Sequence, residues 1–174
     1  MSKTKQVLVI RKDLNMRRGK EIAQGAHGSC SWLANRLVDH YTSDRPNLAL
    51  ATVGLGASVF GAGFMAGGYW FLLGIVVLFL TTTLSHYIMR SLLKLDPDER
   101  DWLLGRFTKV TLQVPGEPEL MQVFTAARDA GLKAVLITDS GATEFHGEPT
   151  VTCVAIGPHE DERLKPITGG LKLY

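Results

Sequence analysis

The stretch QVLVIRKDLNMRRGKEIAQGAHG, residues 6–28, predicts the opening of an α/β fold. Four of its first five residues are apolar and none is charged, which indicates a buried strand over Gln6–Ile10. The polar segment Arg11–Gly19 then predicts a loop. A helix is expected to begin near Gly19 or Lys20 and to run to about Tyr41.

The predicted first helix has two unlike faces. One face carries apolar or small residues at helical spacing, and we expect it to be buried against the sheet. Its members are Ile22, Ala26, Cys30, Leu33 and Leu37. Lys20, Gln24 and His27 fall at i, i+4 and i+7 and therefore share a different, polar face.

The rest of the chain, outside one long uncharged segment, alternates between strand and helix patterns. Strands are predicted over Lys109–Val114, Ala134–Thr138 and Val151–Ile156. Helices are predicted from Pro97 to near Gly105, with Asp96 as the cap, and over Glu117–Ala130 and Pro158–Lys165. This alternation predicts an α/β fold of three layers, α/β/α, with a four-stranded mixed sheet. The last two strands are expected to be antiparallel, because only a loop of about a dozen residues joins them.

The uncharged segment runs from Asn47 to Met89 and splits into two halves at a Gly-Gly pair. The halves, Asn47–Ala66 and Tyr69–Ile88, each have 20 residues, enough for a helix of about 30 Å, which matches a bilayer core. The pattern therefore predicts an inserted transmembrane hairpin over residues 44–94, in contact with a lipid bilayer through residues 47–88. Residues 1–43 and 95–174 would form the α/β domain.

Basic residues flank the segment on both sides, at Arg45, Arg90 and Lys94. They predict membrane localisation with the α/β domain on the cytoplasmic side. Two other structures are compatible with the segment: a buried hydrophobic hairpin, and a single tilted span or re-entrant loop. A stripe of small residues, including Ser58 and Gly63, would pack the hairpin itself or a homodimer.

Composition excludes little and points to no bound group. The net charge of +2 is too small to indicate a nucleic-acid partner. The two cysteines, Cys30 and Cys153, belong to no Cys/His cluster, so we predict no metal site and no cofactor.

Two polar segments are candidates for chemistry because each follows a predicted strand. They are Met16–Lys20 and Asp139–Thr143. Functional groups of α/β sheets gather at the carboxyl ends of strands, so Lys20 and Asp139 are expected to meet there. From spacing alone, an ordinary salt bridge between a loop and a helix is equally compatible with this pair.

Four stretches together resemble the type-2 peptidyl-tRNA hydrolase family of archaea and eukaryotes. They are VLVIRKDLNMRRGKEIAQGAHG (7–28), ITDSGATEF (137–145), TVTCVAIGP (150–158) and ITGGLKLY (167–174). The resemblance covers nearly everything outside residues 44–94. It implies hydrolysis of the ester that joins a peptide, or an N-blocked amino acid, to the 3′ end of tRNA, with peptidyl-tRNA as the partner.

By position, the resemblance implies four catalytic residues. They are Lys20, Asp139, Thr143 and Thr152. Asp139 would orient or deprotonate a water, Lys20 would stabilise negative charge, and a threonine would position the water. The resemblance also places Gln24 and His27 beside them, as substrate-binding residues. RNA binding needs positive charge near the site, and Arg17, Arg18 and Lys172 are the candidates to supply it, with a solvated basic loop as the alternative. A packed helix histidine and a core threonine remain the alternatives for His27 and Thr152.

The sequence departs from the family pattern at three positions. Ala142 stands in place of a loop arginine, Glu144 in place of a glutamine, and Gly170 in place of a late histidine. Losing an arginine and gaining a carboxylate predicts weaker phosphate contacts. Two rival functions therefore stay open at this point: a non-catalytic tRNA- or protein-binding family member at a membrane, and a membrane protein whose hairpin performs the function.

Overall fold

The computed structural model describes residues 4–42, 45–66, 69–92 and 95–174. In chain order these residues form β1 (Thr4–Arg11), α1 (Arg18–Thr42), α2 (Arg45–Ala66), α3 (Tyr69–Leu92), α4 (Pro97–Leu104), β2 (Lys109–Val114), α5 (Glu117–Asp129), β3 (Ala134–Asp139), β4 (Thr150–Glu160), α6 (Asp161–Thr168) and β5 (Lys172–Leu173). The predicted α/β class is confirmed, and so is a mixed sheet.

The sheet has five strands among the described residues, in the order β3-β4-β1-β2-β5. β1 and β2 are parallel, whereas β4 is antiparallel to both β1 and β3. The prediction of four strands is wrong by one. The short β5 pairs its Lys172 and Leu173 with Gln113 and Leu112 of β2, and two residues are too few to give a strand pattern in the sequence.

Helices cover both faces of the sheet in the first of two compact units, Met1–Asn35 with Leu95–Tyr174. Side chains of β1 alternate between the faces, as in any strand. Val7 and Val9 join a core with Leu120 of α5 and Leu164 of α6. Leu8 points to the opposite face, where it meets α1. The predicted three layers are therefore present in this unit.

The face that α1 turns to the sheet is not the predicted one. Ile22 is 67% exposed and Leu33 is 42% exposed. Gln24 and Gly28 are buried instead, and a Cβ added at Gly28 would lie 3.1 Å from Leu8 Cδ2. Apolar spacing failed here because α1 packs closely through a small residue and a polar residue whose hydrogen bonds are satisfied within the protein.

Several other elements follow the predictions. Asp96 caps α4 in a capping box with Glu99, and β2 has the predicted bounds. Leu120, Val123 and Ala127 of α5 are buried, and Phe124 packs partly buried against them. The last helix begins three residues later than predicted, at Asp161, because β4 continues to Glu160.

The second compact unit is Arg36–Lys94 and contains α2 and α3. The two predicted helices of the uncharged segment are present and pack against each other. A Cβ added at Gly74 of α3 would lie 3.0 Å from Phe60 Cα of α2. Ser58, from the predicted small-residue stripe, is exposed, and Gly67 lies outside the described residues. Large apolar side chains, including Phe64 and Phe79, are exposed on both helices.

The transmembrane part of the hairpin prediction is not supported. Among the described residues, no helix combines the length and the apolarity that crossing a membrane requires. The predicted localisation at a membrane is therefore wrong. The predicted bilayer contact through residues 47–88 has no support.

The single chain also gives the predicted homodimer no support. The predicted domain division, 1–43 and 95–174 against 44–94, stays a prediction. The compact units differ from it at one boundary, because the last residues of α1 group with α2 and α3.

Candidate active site

Two polar segments leave the sheet at the same edge. Ile10 near the end of β1 and Ile137 near the end of β3 both pair with Cys153 of β4. The two strands therefore end at the same level of the sheet, on either side of β4. The segment before α1 and the loop after β3 both begin at this edge, as the sequence predicted.

Lys20 and Asp139 meet at this edge. Lys20 Nζ donates to Asp139 Oδ2 at 2.5 Å and to Thr143 Oγ1 at 3.0 Å. The Lys20 and Asp139 side chains are only 12% and 10% exposed, whereas Thr143 is exposed. The ammonium therefore lies between an almost buried carboxylate and an accessible hydroxyl.

Asp139 is held as an anion by several donors. Besides Lys20, Gln24 Nε2 donates to Oδ2 at 2.7 Å, and the Gly141 backbone N–H donates to Oδ1 at 2.9 Å. The hydrogen bond from Lys20 is the largest effect, and with the other donors it outweighs burial, so the pKa of Asp139 is lowered from its ordinary value. The carboxylate is consequently ionised at neutral pH and weakly basic.

Gln24 and Thr152 form the buried floor of the cluster. Gln24 is 1% exposed and Thr152 is fully buried. Thr152 Oγ1 lies 2.7 Å from Gln24 Oε1 and 3.1 Å from the Ile137 carbonyl oxygen, both acceptors for its single proton. The carbonyl oxygen of the Gln24 amide thus faces Thr152, which directs its NH₂ group to Asp139.

A nearby thiol is unsuited to nucleophilic chemistry. Cys153 is buried under α1, with Sγ 3.6 Å from the Gln24 carbonyl oxygen. Burial raises the pKa of this thiol to about 12, so it stays protonated at neutral pH. Within the residues that the structure describes, no group of three or more His, Cys, Asp or Glu side chains could hold a metal ion.

The loop after β3 is closed by its own hydrogen bonds. Gly141 has φ +83° and packs against the Glu148 backbone, where a side chain would not fit. The Gly141 carbonyl accepts from the N–H groups of Phe145 at 3.3 Å and Gly147 at 3.1 Å. Phe145 also packs, partly buried, with Ile10 and its neighbours. The loop thereby presents Thr143 in a defined position.

Comparison with known proteins places the chain in a family. The family pattern of "Peptidyl-tRNA hydrolase PTH2" matches residues 4–47 and 80–174. The chain is 31% identical over 171 residues, 98% of its length, to a peptidyl-tRNA hydrolase of Aeropyrum pernix, of which it covers 95%. A peptidyl-tRNA hydrolase of Methanothermobacter thermautotrophicus is 36% identical over 89 residues, 51% of this chain and 79% of the relative. One of Methanocaldococcus jannaschii is 45% identical over 74 residues, 42% and 63% respectively.

The chain belongs to the peptidyl-tRNA hydrolase PTH2 family. The predicted family and the predicted enzyme class are thereby confirmed. The alignment with the Aeropyrum pernix hydrolase runs over almost the whole chain, so it includes the region of α2 and α3. The rival interpretation of the chain as a non-catalytic binding protein is set aside.

One departure from the PTH2 pattern has a partner in the structure. Glu144 Oε1 accepts from Arg17 Nε at 2.7 Å, and Oε2 accepts from the Arg17 backbone N–H at 3.3 Å. The hydrogen bond from Arg17 is the main cause of the lowered pKa of Glu144. Sequence reasoning expected this carboxylate to weaken phosphate contacts and missed its pairing with Arg17.

The remaining predicted substrate-binding residues lie on the surface. Arg18 is the first residue of α1, His27 lies about two turns beyond Lys20, and Lys172 lies in β5; all three are exposed. None takes part in the hydrogen bonds described for the Lys20–Asp139 cluster. Arg11, at the end of β1, is buried and pairs with Asp13 and Glu117, so its charge is already balanced.

Proposed function

We propose that this chain hydrolyses the ester between a peptide, or an N-blocked amino acid, and the 3′ end of tRNA at the cluster of Lys20, Asp139 and Thr143. The observation that carries the proposal is the position of Lys20 Nζ, which bonds both the Asp139 carboxylate and the exposed Thr143 hydroxyl. The names of the family and its relatives supply the substrate class.

The reaction defines what the site must provide. A water oxygen adds to the ester carbonyl carbon and creates a tetrahedral oxyanion. The bond from that carbon to the ribose oxygen then breaks, and a proton from the water ends on the ribose hydroxyl. The site therefore needs an oriented water and a positive group near the carbonyl oxygen.

Lys20 fits the role of the positive group. Its ammonium is nearly buried, so its field is weakly screened by solvent. Asp139 fits the role of a group that orients the water rather than one that takes its proton, because its lowered pKa makes it a weak base. Its Oδ1 accepts only the Gly141 N–H among the described contacts and has a lone pair left for a water proton.

Thr143 completes the exposed part of the site. Its oxygen accepts a hydrogen bond from Lys20, which leaves the hydroxyl proton to be donated outward. Because Thr143 is exposed, that proton can reach a water or the substrate carbonyl. We assign Lys20, Asp139 and Thr143 to direct contact with the reacting groups.

Gln24 and Thr152 have a different role in this proposal. Both are buried, so they act through Asp139 and do not touch the substrate. Thr152 orients the Gln24 amide, and Gln24 orients the carboxylate. Both are therefore positioning residues, although Gln24 was first expected to bind substrate and Thr152 to be catalytic.

Contacts to the tRNA backbone are assigned to exposed cationic and imidazole side chains outside the Lys20–Asp139 cluster. Arg17, Arg18, His27 and Lys172 are the candidates. Contacts of this type make binding weaker as salt rises. Alanine at any one of them is expected to raise KM and to leave kcat nearly unchanged.

The test is cleavage of peptidyl-tRNA and of N-blocked aminoacyl-tRNA by the purified protein, read as released tRNA. Asp139→Ala and Lys20→Ala are each expected to lower kcat by about 10²–10³-fold. Asp101→Ala and Arg100→Ala, exposed charge changes on α4, are the matched controls and should behave as wild type. Wild-type kcat in either site variant would refute the assignment.

A further inference from the structure

Two consecutive residues of the loop after β3 hydrogen-bond to Lys20 of α1 and to Arg17 just before it, and the next residue belongs to an apolar cluster near the same point. Thr143 accepts from Lys20, Glu144 accepts from Arg17, and Phe145 packs in a small apolar cluster that includes Met16. The loop is therefore held near the start of α1 by hydrogen bonds and by apolar packing. The Glu144 link is the only one of the three that involves two hydrogen bonds to the same partner.

We propose that Glu144 is a positioning residue for the hydrolysis, holding the loop on the start of α1 so that the Thr143 hydroxyl stays on Lys20. This inference rests on the proposed function of the Lys20–Asp139–Thr143 cluster. In this proposal Glu144 supports the reaction, whereas simple repulsion of tRNA phosphates would only weaken substrate binding.

The geometry of the pair supports a tie between two backbone segments. Glu144 is only 15% exposed, whereas the outer partner Arg17 is 78% exposed. One carboxylate oxygen binds the Arg17 side chain, and the other binds its backbone N–H. The second bond fixes the loop to the main chain just before α1, so the tie persists when the Arg17 side chain moves toward a phosphate.

The neighbours of Glu144 explain why a loose loop would affect the reaction. Thr143 precedes it, and its exposed side chain has one described hydrogen bond, which it accepts from Lys20 at 3.0 Å. Phe145 follows it, and Lys20 Nζ lies 5.4 Å from the centre of its ring. Releasing Glu144 would let Thr143 move relative to Lys20, and a displacement of about 1 Å in a catalytic group can cost up to about 10²-fold in rate.

The experiment compares Glu144→Ala with Glu144→Gln and Glu148→Ala. Glu148 is an exposed carboxylate of the same loop and serves as the charge-matched control. Glu144→Ala is expected to lower kcat by about 10-fold with KM within about 2-fold. Glu144→Gln keeps an acceptor for Arg17 and should retain most of kcat, and Glu148→Ala should keep all of it.

Two results would overturn the proposal. The first is a wild-type kcat with a lower KM in Glu144→Ala, which is the outcome of simple phosphate repulsion. The second is an equal loss of kcat in Glu144→Ala and Glu148→Ala, which is the outcome of a general charge effect.

Amide hydrogen exchange separates this proposal from the proposed function. Glu144→Ala should speed exchange at Phe145, Gly147 and Glu148, whose N–H groups close the loop. Unchanged exchange would refute the tie even in an active enzyme. Faster exchange in a protein whose wild type does not cleave peptidyl-tRNA would refute the proposed function, and with it the catalytic part of this inference.

Discussion

A lysine bonded to two oxygen acceptors lies at each end of β3, and the two clusters differ in the kind of acceptor. At the carboxyl end, Lys20 bonds Asp139 and the exposed Thr143. At the opposite end, Lys133, directly before β3, bonds Asp96 and, at 2.5 Å, Glu99. The sequence alone does not distinguish these two lysines.

The acceptors of the Lys133 cluster are both carboxylates, and the Lys133 side chain is 39% exposed. Asp96 and Glu99 also cap α4, and Glu99 is 1% exposed. The backbone N–H of Lys133 donates to His159 Nε2 at 2.8 Å, and His159 Nδ1 lies 3.0 Å from Asp98. Each of these groups is engaged in joining α4, β3 and β4.

The difference teaches that an ion pair does not by itself mark a site. The two carboxyls even share the direction of their pKa, which is lowered in both. For Asp139 the bond from Lys20 is the largest effect. For Asp96 the largest effect is burial, which raises the pKa, but Lys133 and the Glu99 N–H together outweigh it. What separates the clusters is the accessible hydroxyl of Thr143.

The largest effect is expected when each lysine in turn is replaced by alanine. Lys20→Ala should lower kcat by about 10³-fold, because it removes the cation beside the developing oxyanion. Lys133→Ala should keep kcat within about 2-fold of wild type when the rate is normalised to folded protein. Steady-state cleavage of peptidyl-tRNA gives both values. Similar losses in the two variants would abolish the distinction between the clusters.

Lys133→Ala should instead lower the free energy of unfolding. Replacing this lysine by alanine takes one ammonium away from the buried Glu99 carboxylate. Breaking a buried pair costs about 3–5 kcal/mol, and partial exposure of Lys133 reduces the expected loss to about 2 kcal/mol. Urea unfolding measures it, with Lys165→Ala on α6 as the control. An unchanged midpoint would show that this cluster contributes little.

Thr143 tests the feature that sets the catalytic cluster apart. Thr143→Ala should lower kcat by about 10–30-fold, because it removes one positioned hydroxyl, while Thr143→Ser should stay within about 3-fold of wild type. Thr150→Ala, which removes a hydroxyl at the first residue of β4, is the control. Equal activity of the alanine and serine variants would argue against a role for the hydroxyl.

The smallest effect is expected from pH. The pKa of Asp139 and of Asp96 is lowered on folding, so each ionised carboxylate stabilises the fold above its ordinary pKa of 3.8. This stabilisation is lost as pH falls through the lowered value. Asp139→Asn and Asp96→Asn should therefore unfold more easily than wild type at pH 7, and the difference should shrink below pH 3.8. Chemical unfolding at several pH values measures this. If the free-energy difference between wild type and variant did not change with pH, the pKa would not be lowered on folding.

Much of the fold was predictable because local signals agreed with packing. The Asp96 cap and the bounds of β2 are local features and were predicted correctly. The buried face of α1 was predicted wrongly, since apolar spacing at Ile22 and Leu33 carries no information on the satisfied amide of Gln24.

The catalytic cluster was predictable only in part. Lys20 and Asp139 follow strands whose ends lie at one edge, so their meeting follows from topology. The pairing of Arg17 with Glu144 depends on the backbone path of two loops, which residue types do not encode. The burial of Thr152 beneath Gln24 likewise depends on how closely α1 lies on the sheet.

The close approach of α1 to the sheet depends on Gly28, because this residue places no side chain against Leu8. Eight residues of helix, about 12 Å, separate this point from Lys20. A side chain at Gly28 would have to displace Leu8 Cδ2 or move α1 away from the sheet. If α1 moved, the distance between the Lys20 ammonium and the Asp139 carboxylate would change with it, so a glycine far from the cluster helps to set its geometry.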